Sequence, residues 1–178
     1  MIALLVCCTM SPPVTFDPWA DVPEADGFDF PVGPPDAEDW RLGRGWQVKG
    51  HLGVDYNHGG PCDDDLGEPV YAAAAGRVHF ARDVEGGWGN VVQIAHRLHS
   101  GELVQTQYGH LDRIDVAEGE LVKRGDPVGT VGNAHGIYCS HLHFEVRTDP
   151  AHEVGGGYGE PEEVFVDPIG FIQSHRPG

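Results

Sequence analysis

Beyond residue 51 the chain alternates apolar and polar positions in short runs, and Gly, Pro, Asn and Asp separate one run from the next. This is the punctuation of an all-β domain. Residues 70–75, 76–81, 90–96, 103–111, 127–131 and 142–147 are the predicted strands. No window of helical length sustains a 3.6-residue period. The expected fold is therefore a single, mainly β domain of antiparallel sheets with little helix. Residues 97–101 close a hairpin between the third and fourth runs, which carries His110 to the far end of a long strand. In the last run Leu142, Phe144 and Val146 point to a buried face, while His141 and His143 share the opposite one with Cα atoms roughly 6.6 Å apart.

The N-terminal part has no such alternation. Residues 11–39 hold half of the chain's 14 prolines, and from Asp17 to Asp39 eight acids stand with no Lys or Arg among them. A segment of this composition buries too little to fold alone. It is expected to be an extended tether as far as Gly27, with Phe28, Phe30 and Val32 docking on the edge of a domain spanning residues 28–178. Trp40 and Trp46 flank a Gly-rich approach to His51. The first eight residues are signal-like, although the apolar run is short and lacks a basic start, so further chain is expected upstream. A Leu lies three positions before each of Cys7 and Cys8, as in a bacterial lipoprotein cleavage box, and either cysteine is a candidate lipid anchor. Val6 is bulkier than the small residue usual there. No stretch reaches the roughly 18 consecutive apolar residues of a spanning helix.

With 178 residues, 40% of them hydrophobic, the chain suits one domain with a sizeable core. Its net charge of -17 argues against nucleic acid or an anionic membrane surface as partner. A monomer is expected.

The chemistry rests on histidines. Eleven of them in this length produce about 0.7 His-x-His pairs by chance, so the pair at His141 and His143 needs company. His51-Leu52-Gly53-Val54-Asp55 supplies it. His51, Asp55 and one of the paired histidines form a three-ligand set of the kind that leaves a fourth zinc position open to water, and Gly53 lets backbone pass close to the metal. His79 and Asp83 repeat the spacing without the glycine, within and just after an ordinary strand, and are read as coincidence.

Five motifs in order, His51-Leu52-Gly53-Val54-Asp55, Gly67-Glu68-Pro69-Val70-Tyr71-Ala72, Gly89-Asn90, Tyr108-Gly109-His110-Leu111 and His141-Leu142-His143-Phe144-Glu145, resemble the lysostaphin/LytM-type zinc metallopeptidases. The likeness covers roughly residues 50–147, and Val166-Asp167-Pro168 resembles the family's terminal segment. It implies a barrel-like β sandwich and a zinc-dependent endopeptidase acting on the peptide crosslinks of bacterial peptidoglycan, outside the cytoplasm. It also implies one zinc ion on His51, Asp55 and His143, with His110 and His141 as catalytic histidines that do not bind the metal. His141 would move the proton and His110 would steady the oxyanion, although the sequence alone also allows these two roles to be exchanged. Because some relatives lose the ligands and activate other wall hydrolases, a noncatalytic peptidoglycan-binding or hydrolase-activating module is the alternative. The resemblance further places Cys62 and Cys139 on the rim of one cleft, so an exported chain is expected to bridge them.

Two insertions depart from the family. Residues 56–66 form a longer, more acidic loop, in which His58 reads as an exposed histidine and Asp63 to Asp65 as a solvated turn rather than a calcium site. Residues 149–163, with three consecutive glycines, read as a flexible surface loop. His96, His99, His135, His152 and His175 receive no role. Residues 116–128 resemble the β-turn repeats of lipoyl and biotinyl carriers but lack a lysine at the hairpin tip, so the likeness extends only to β geometry.

Overall fold

A computed structural model describes residues 17–159 and 163–178. The signal-like segment, Cys7 and Cys8 lie outside the described residues. The main sheet is antiparallel, with β1 (Trp40–Arg44), β2 (Val54–His58), β10 (Leu142–Arg147), β6 (Leu103–Leu111), β5 (Asn90–Arg97), β4 (Gly76–Asp83) and β8 (Leu121–Val122) side by side in that order. β11 (Phe165–Val166) pairs with the end of β10 that β2 does not reach. A second sheet joins β3 (Pro69–Tyr71), β9 (Pro127–Thr130) and β7 (Arg113–Ile114). One seven-residue helix, α1 (Pro168–Ser174), starts with Pro168 behind an Asp167 cap whose carboxylate accepts from Ile169 N–H at 3.2 Å. It is too short to leave a periodic signature.

The runs at 103–111 and 142–147 coincide with β6 and β10, and the predicted hairpin closes through Leu98 and Glu102. The run at 70–75 is shorter than expected. Its strand ends at Tyr71, after which the backbone bends through three buried alanines packed in the core.

The central strands are buried on both faces. Val92 and Ile94 of β5, Val104 and Tyr108 of β6, and Leu142, Phe144 and Val146 of β10 belong to the apolar core. On the other face lie Gln93, Gln105, Gln107, His143, Glu145 and Arg147, every one of them buried. Residues 150–155 cover that face. Their carbonyls accept hydrogen bonds from Gln105 Nε2 (Pro150, 3.2 Å; His152, 3.0 Å), from Arg147 (Glu153, 2.6 Å; Val154, 2.7 Å) and from Trp88 Nε1 (Gly155, 2.8 Å). Expected to be a flexible surface loop, the described part of this insertion does run over the surface, but as a strap held by side chains beneath it. A sheet face made of amides and a guanidinium requires such acceptors once it leaves water.

The described part of the acidic segment also differs from an extended tether. Val22 and Ala25 are buried, Ala25 N–H donates to the Arg97 carbonyl at 2.8 Å, and Arg97 donates to the Trp19 carbonyl at 2.7 Å. Phe28 and Val32 are buried and Phe30 packs against the core, as the sequence led one to expect. Acids here meet cations supplied by the domain: Arg124 bonds Asp26 and Asp29, and Arg176 bonds Asp29 and Asp36. Composition alone hid these partners, because they lie about a hundred residues or more away.

Candidate metal centre

Register builds the site. On β10, His143 pairs directly with Asp55 of β2 on one side and with Gly109 of β6 on the other. His51 precedes β2 and forms an isolated bridge with Tyr158. The outcome is a triangle of donor atoms: His51 Nε2 to His143 Nδ1 is 2.9 Å, and Asp55 Oδ1 lies 3.1 Å from each of them. Tetrahedral coordination at 2.0–2.1 Å separates neighbouring ligand atoms by roughly 3.3 Å. Two imidazole nitrogens and one carboxylate oxygen at this spacing can hold a metal ion. A Cβ on Gly53 would stand 2.5 Å from the Phe144 carbonyl oxygen and 2.9 Å from His143 Nε2, so a glycine is required there. The backbone passes against the ligand ring.

Electrostatics tighten the triangle. His143 is fully enclosed, and burial alone would lower its pKa; hydrogen bonds with Asp55 and Glu145 outweigh this and raise it to about 9. Burial likewise pushes Asp55 upwards, yet its bonds with His143 and His51 take it well below the ordinary carboxylate range. Behind His143, Nε2 meets Glu145 Oε1 at 2.8 Å, and the other oxygen of Glu145 accepts from Arg147 Nε at 2.9 Å and from Nη2. This carboxylate fixes the ring's tautomer and aim. Glu145 had a legible signal: two residues past His143, it shares that residue's face.

His110 reaches the site through a break in the ladder. Strict alternation would put it on the core side with Thr106 and Tyr108, but a register shift between β5 and β6 falls at this point and His110 adopts φ 63°. Such bulges redirect a side chain. Its ring stacks on Trp88 at 5.6 Å and lies 4.7 Å from the ring of His141. Burial, aided by the charges of His143 and His141, lowers its pKa to about 3. His141 Nδ1 donates to the Cys139 carbonyl at 2.8 Å, and Nε2 lies 3.8 Å from Asp55 Oδ1. Four of the five residues expected in the site, Asp55, His110, His141 and His143, line one cleft of about 520 Å³, and His51 forms the buried side of the triangle. Arg44, Trp88, Tyr138 and Tyr158 complete its walls. Nothing in the sequence pattern marked these four.

Cys62 and Cys139 form a disulfide with Cα atoms 4.6 Å apart. Beside it the acids of the first insertion have structural work. Asp63 accepts from Ser140 N–H at 2.9 Å, and the buried Asp65 accepts from His58 N–H at 3.0 Å and from the Ser140 hydroxyl. The turn is thus more than a solvated one, and it fixes the backbone next to His141. His58, expected to be an exposed loop histidine, is the last residue of β2 and stacks on Trp40 at 5.2 Å. His79 and Asp83 do not meet: His79 bonds Gln105 at 3.1 Å, whereas Asp83 pairs with His135 at 3.0 Å.

The sequence pattern of Peptidase family M23 matches residues 49–155, and the chain belongs to that family. Lipoprotein NlpD of Yersinia enterocolitica is 38% identical over 46% of this chain and 78% of its own length. Peptidoglycan DD-endopeptidase ShyB of Vibrio cholerae is 38% identical over 46% of this chain and 18% of its own. A zinc containing peptidase from Vibrio cholerae, known from a crystal structure, superposes with a TM-score of 0.54 at 31% identity, over 67% of this chain and 36% of that one. Most of the curated relatives that the chain matches are much longer, and it spans less than half of each.

Proposed function

We propose that this chain is a zinc endopeptidase that hydrolyses peptide crosslinks of bacterial peptidoglycan. The observation that carries the reading is the convergence of His51 Nε2, Asp55 Oδ1 and His143 Nδ1 beside an open cleft, with two further imidazoles across it. A purely structural zinc site is closed by four protein ligands and needs no such neighbours. The relatives named as a DD-endopeptidase and as a zinc containing peptidase support the same class of chemistry.

The three donors would hold the ion, which supplies a Lewis acid for the scissile carbonyl and acidifies a water. Around it the protein's own groups handle protons. His141 is anchored through Nδ1, so its Nε2 faces the cleft and takes a proton that it then returns to the leaving amine. His110 steadies the developing oxyanion. That role needs its proton on Nε2, and the bond it gives up is the long 3.3 Å contact from Nδ1 to the Trp88 carbonyl. The carbonyl remains satisfied by His110 N–H at 3.0 Å.

Lipoproteins among the relatives support an extracytoplasmic location, with Cys7 or Cys8 as the anchor and the acidic segment as the first docked element of the domain. Digestion of purified peptidoglycan with and without a chelator, followed by mass analysis of the fragments, tests the reading. Release that stops on chelation and returns with zinc is expected. A folded, zinc-loaded protein that frees no fragment from walls of several chemistries would favour the noncatalytic peptidoglycan-binding or hydrolase-activating alternative instead.

A further inference from the structure

Arg44 stands at the end of β1 and lines the cleft with an exposed side chain. Although the chain has 28 Asp and Glu residues, none of the ion pairs among the described residues uses it. Its guanidinium is nevertheless positioned. Nη1 donates to the Tyr158 hydroxyl and the group stands over the Tyr158 ring, with Cζ 5.6 Å from the centroid. Tyr158 is fixed in turn: its ring lies 5.1 Å from that of His51, its backbone bridges to His51, and the next residue's N–H donates to the Gly50 carbonyl at 2.8 Å. The cation is thus one aromatic ring away from the metal triangle. Nε and Nη2 make no hydrogen bond among the described residues, and this edge is the one that grips a carboxylate through two parallel bonds.

We infer that Arg44 and Tyr158 form a carboxylate-binding subsite that selects crosslinks bearing a free acid beside the scissile bond. This rests on the peptidase reading and narrows it. In a chain of net charge -17 an acidic peptide meets general repulsion, and one oriented cation in the groove reverses it locally. A bridge built only of glycine carries no carboxylate at that place and gains nothing from the subsite. Peptide stems with an uncapped α- or side-chain carboxylate do.

The test uses two synthetic crosslinked peptides that differ only in having this carboxylate free or amidated. Binding is followed by tryptophan fluorescence on zinc-loaded protein, Trp88 being in the cleft wall, and cleavage by chromatography. Wild type should bind the acid about 10- to 100-fold more tightly than the amide, as expected for a hydrogen-bonded charge pair. In Arg44→Gln the ratio should fall towards one at unchanged zinc content, and Arg44→Lys should restore part of it. If wild type binds with this preference and cuts neither peptide, the hydrolysis reading fails while the subsite stands. Equal wild-type affinity for acid and amide, or a preference that survives Arg44→Gln, overturns the subsite whether or not either peptide is cut.

Discussion

His96 and His143 are both buried, on opposite faces of the same sheet, and their surroundings shift their pKa values in opposite directions. His96 faces the core. Its Nδ1 meets the Ala75 carbonyl at 2.9 Å and its Nε2 the Thr106 hydroxyl at 2.7 Å, with the Phe28 ring 5.2 Å away. Among the described residues no carboxylate bonds to it, and burial lowers its pKa to about 4. His143 has a carboxylate at each ring nitrogen and is raised to about 9 despite equal burial. Burial alone therefore says little about a histidine's chemistry. The inner face was assembled for packing, and the outer face concentrates charge where a cation can be held.

The largest effect should come from the residues that separate holding the metal from moving a proton. With His143→Ala the triangle keeps two donors, so bound zinc and hydrolysis should both disappear. His141→Ala removes no donor of the triangle and should retain close to one zinc per chain, while the rate falls by roughly 10²–10⁴-fold. Elemental analysis and fragment release on the same preparations decide it. Metal lost from His141→Ala and kept in His143→Ala would reverse the two assignments.

How far this pair could be read in advance depends on what each half of the site is made of. Asp55 and His143 sit on regular strands where period-two alternation fixes the face, so the sequence carried both their spacing and the orientation of β10. His110 points into the cleft only because of a bulge and a left-handed backbone, neither of which alternation encodes. Its role came from family resemblance. Tyr158 and Arg44 meet across 114 residues, and no local pattern signals that contact. The strap over the outer face was misread for a related reason: its own residues are loop-like, and what holds it is the row of Gln105, Gln107 and Arg147 beneath. A covered polar face and a solvent-facing one look alike in one-dimensional patterning.

A second prediction concerns the core face and is smaller. His96 is neutral when folded and has an ordinary pKa near 6.5 when unfolded, so between pH 6.5 and about 4 the unfolded chain binds the extra proton. Stability attributable to His96 is then complete above about pH 6.5 and is lost progressively as pH falls to about 4, a total on the order of 3 kcal/mol. Urea unfolding of wild type and His96→Gln at pH 7.5 and 4.5 should show a smaller acid-induced loss in the variant. An equal loss in both would mean that His96 is not the group responsible.

The smallest effect isolates the carboxylate behind the ligand. Glu145→Gln keeps a hydrogen-bond acceptor for His143 Nε2 but removes the charge that fixes that ring and neutralises Arg147. Zinc affinity, measured by competition with a chelator, should weaken about 10- to 100-fold, the usual cost of losing such a supporting group. Part of any loss could come from the fold, since Arg147 is buried and Glu145 is its only ion-pair partner among the described residues. An uncompensated buried charge is strongly destabilising. Urea unfolding of the same variant separates the two causes. If Glu145 acts by positioning His143, zinc affinity falls in protein that is still fully folded under the titration conditions. Zinc affinity that falls only where the variant is partly unfolded would mean that the carboxylate serves only to neutralise Arg147.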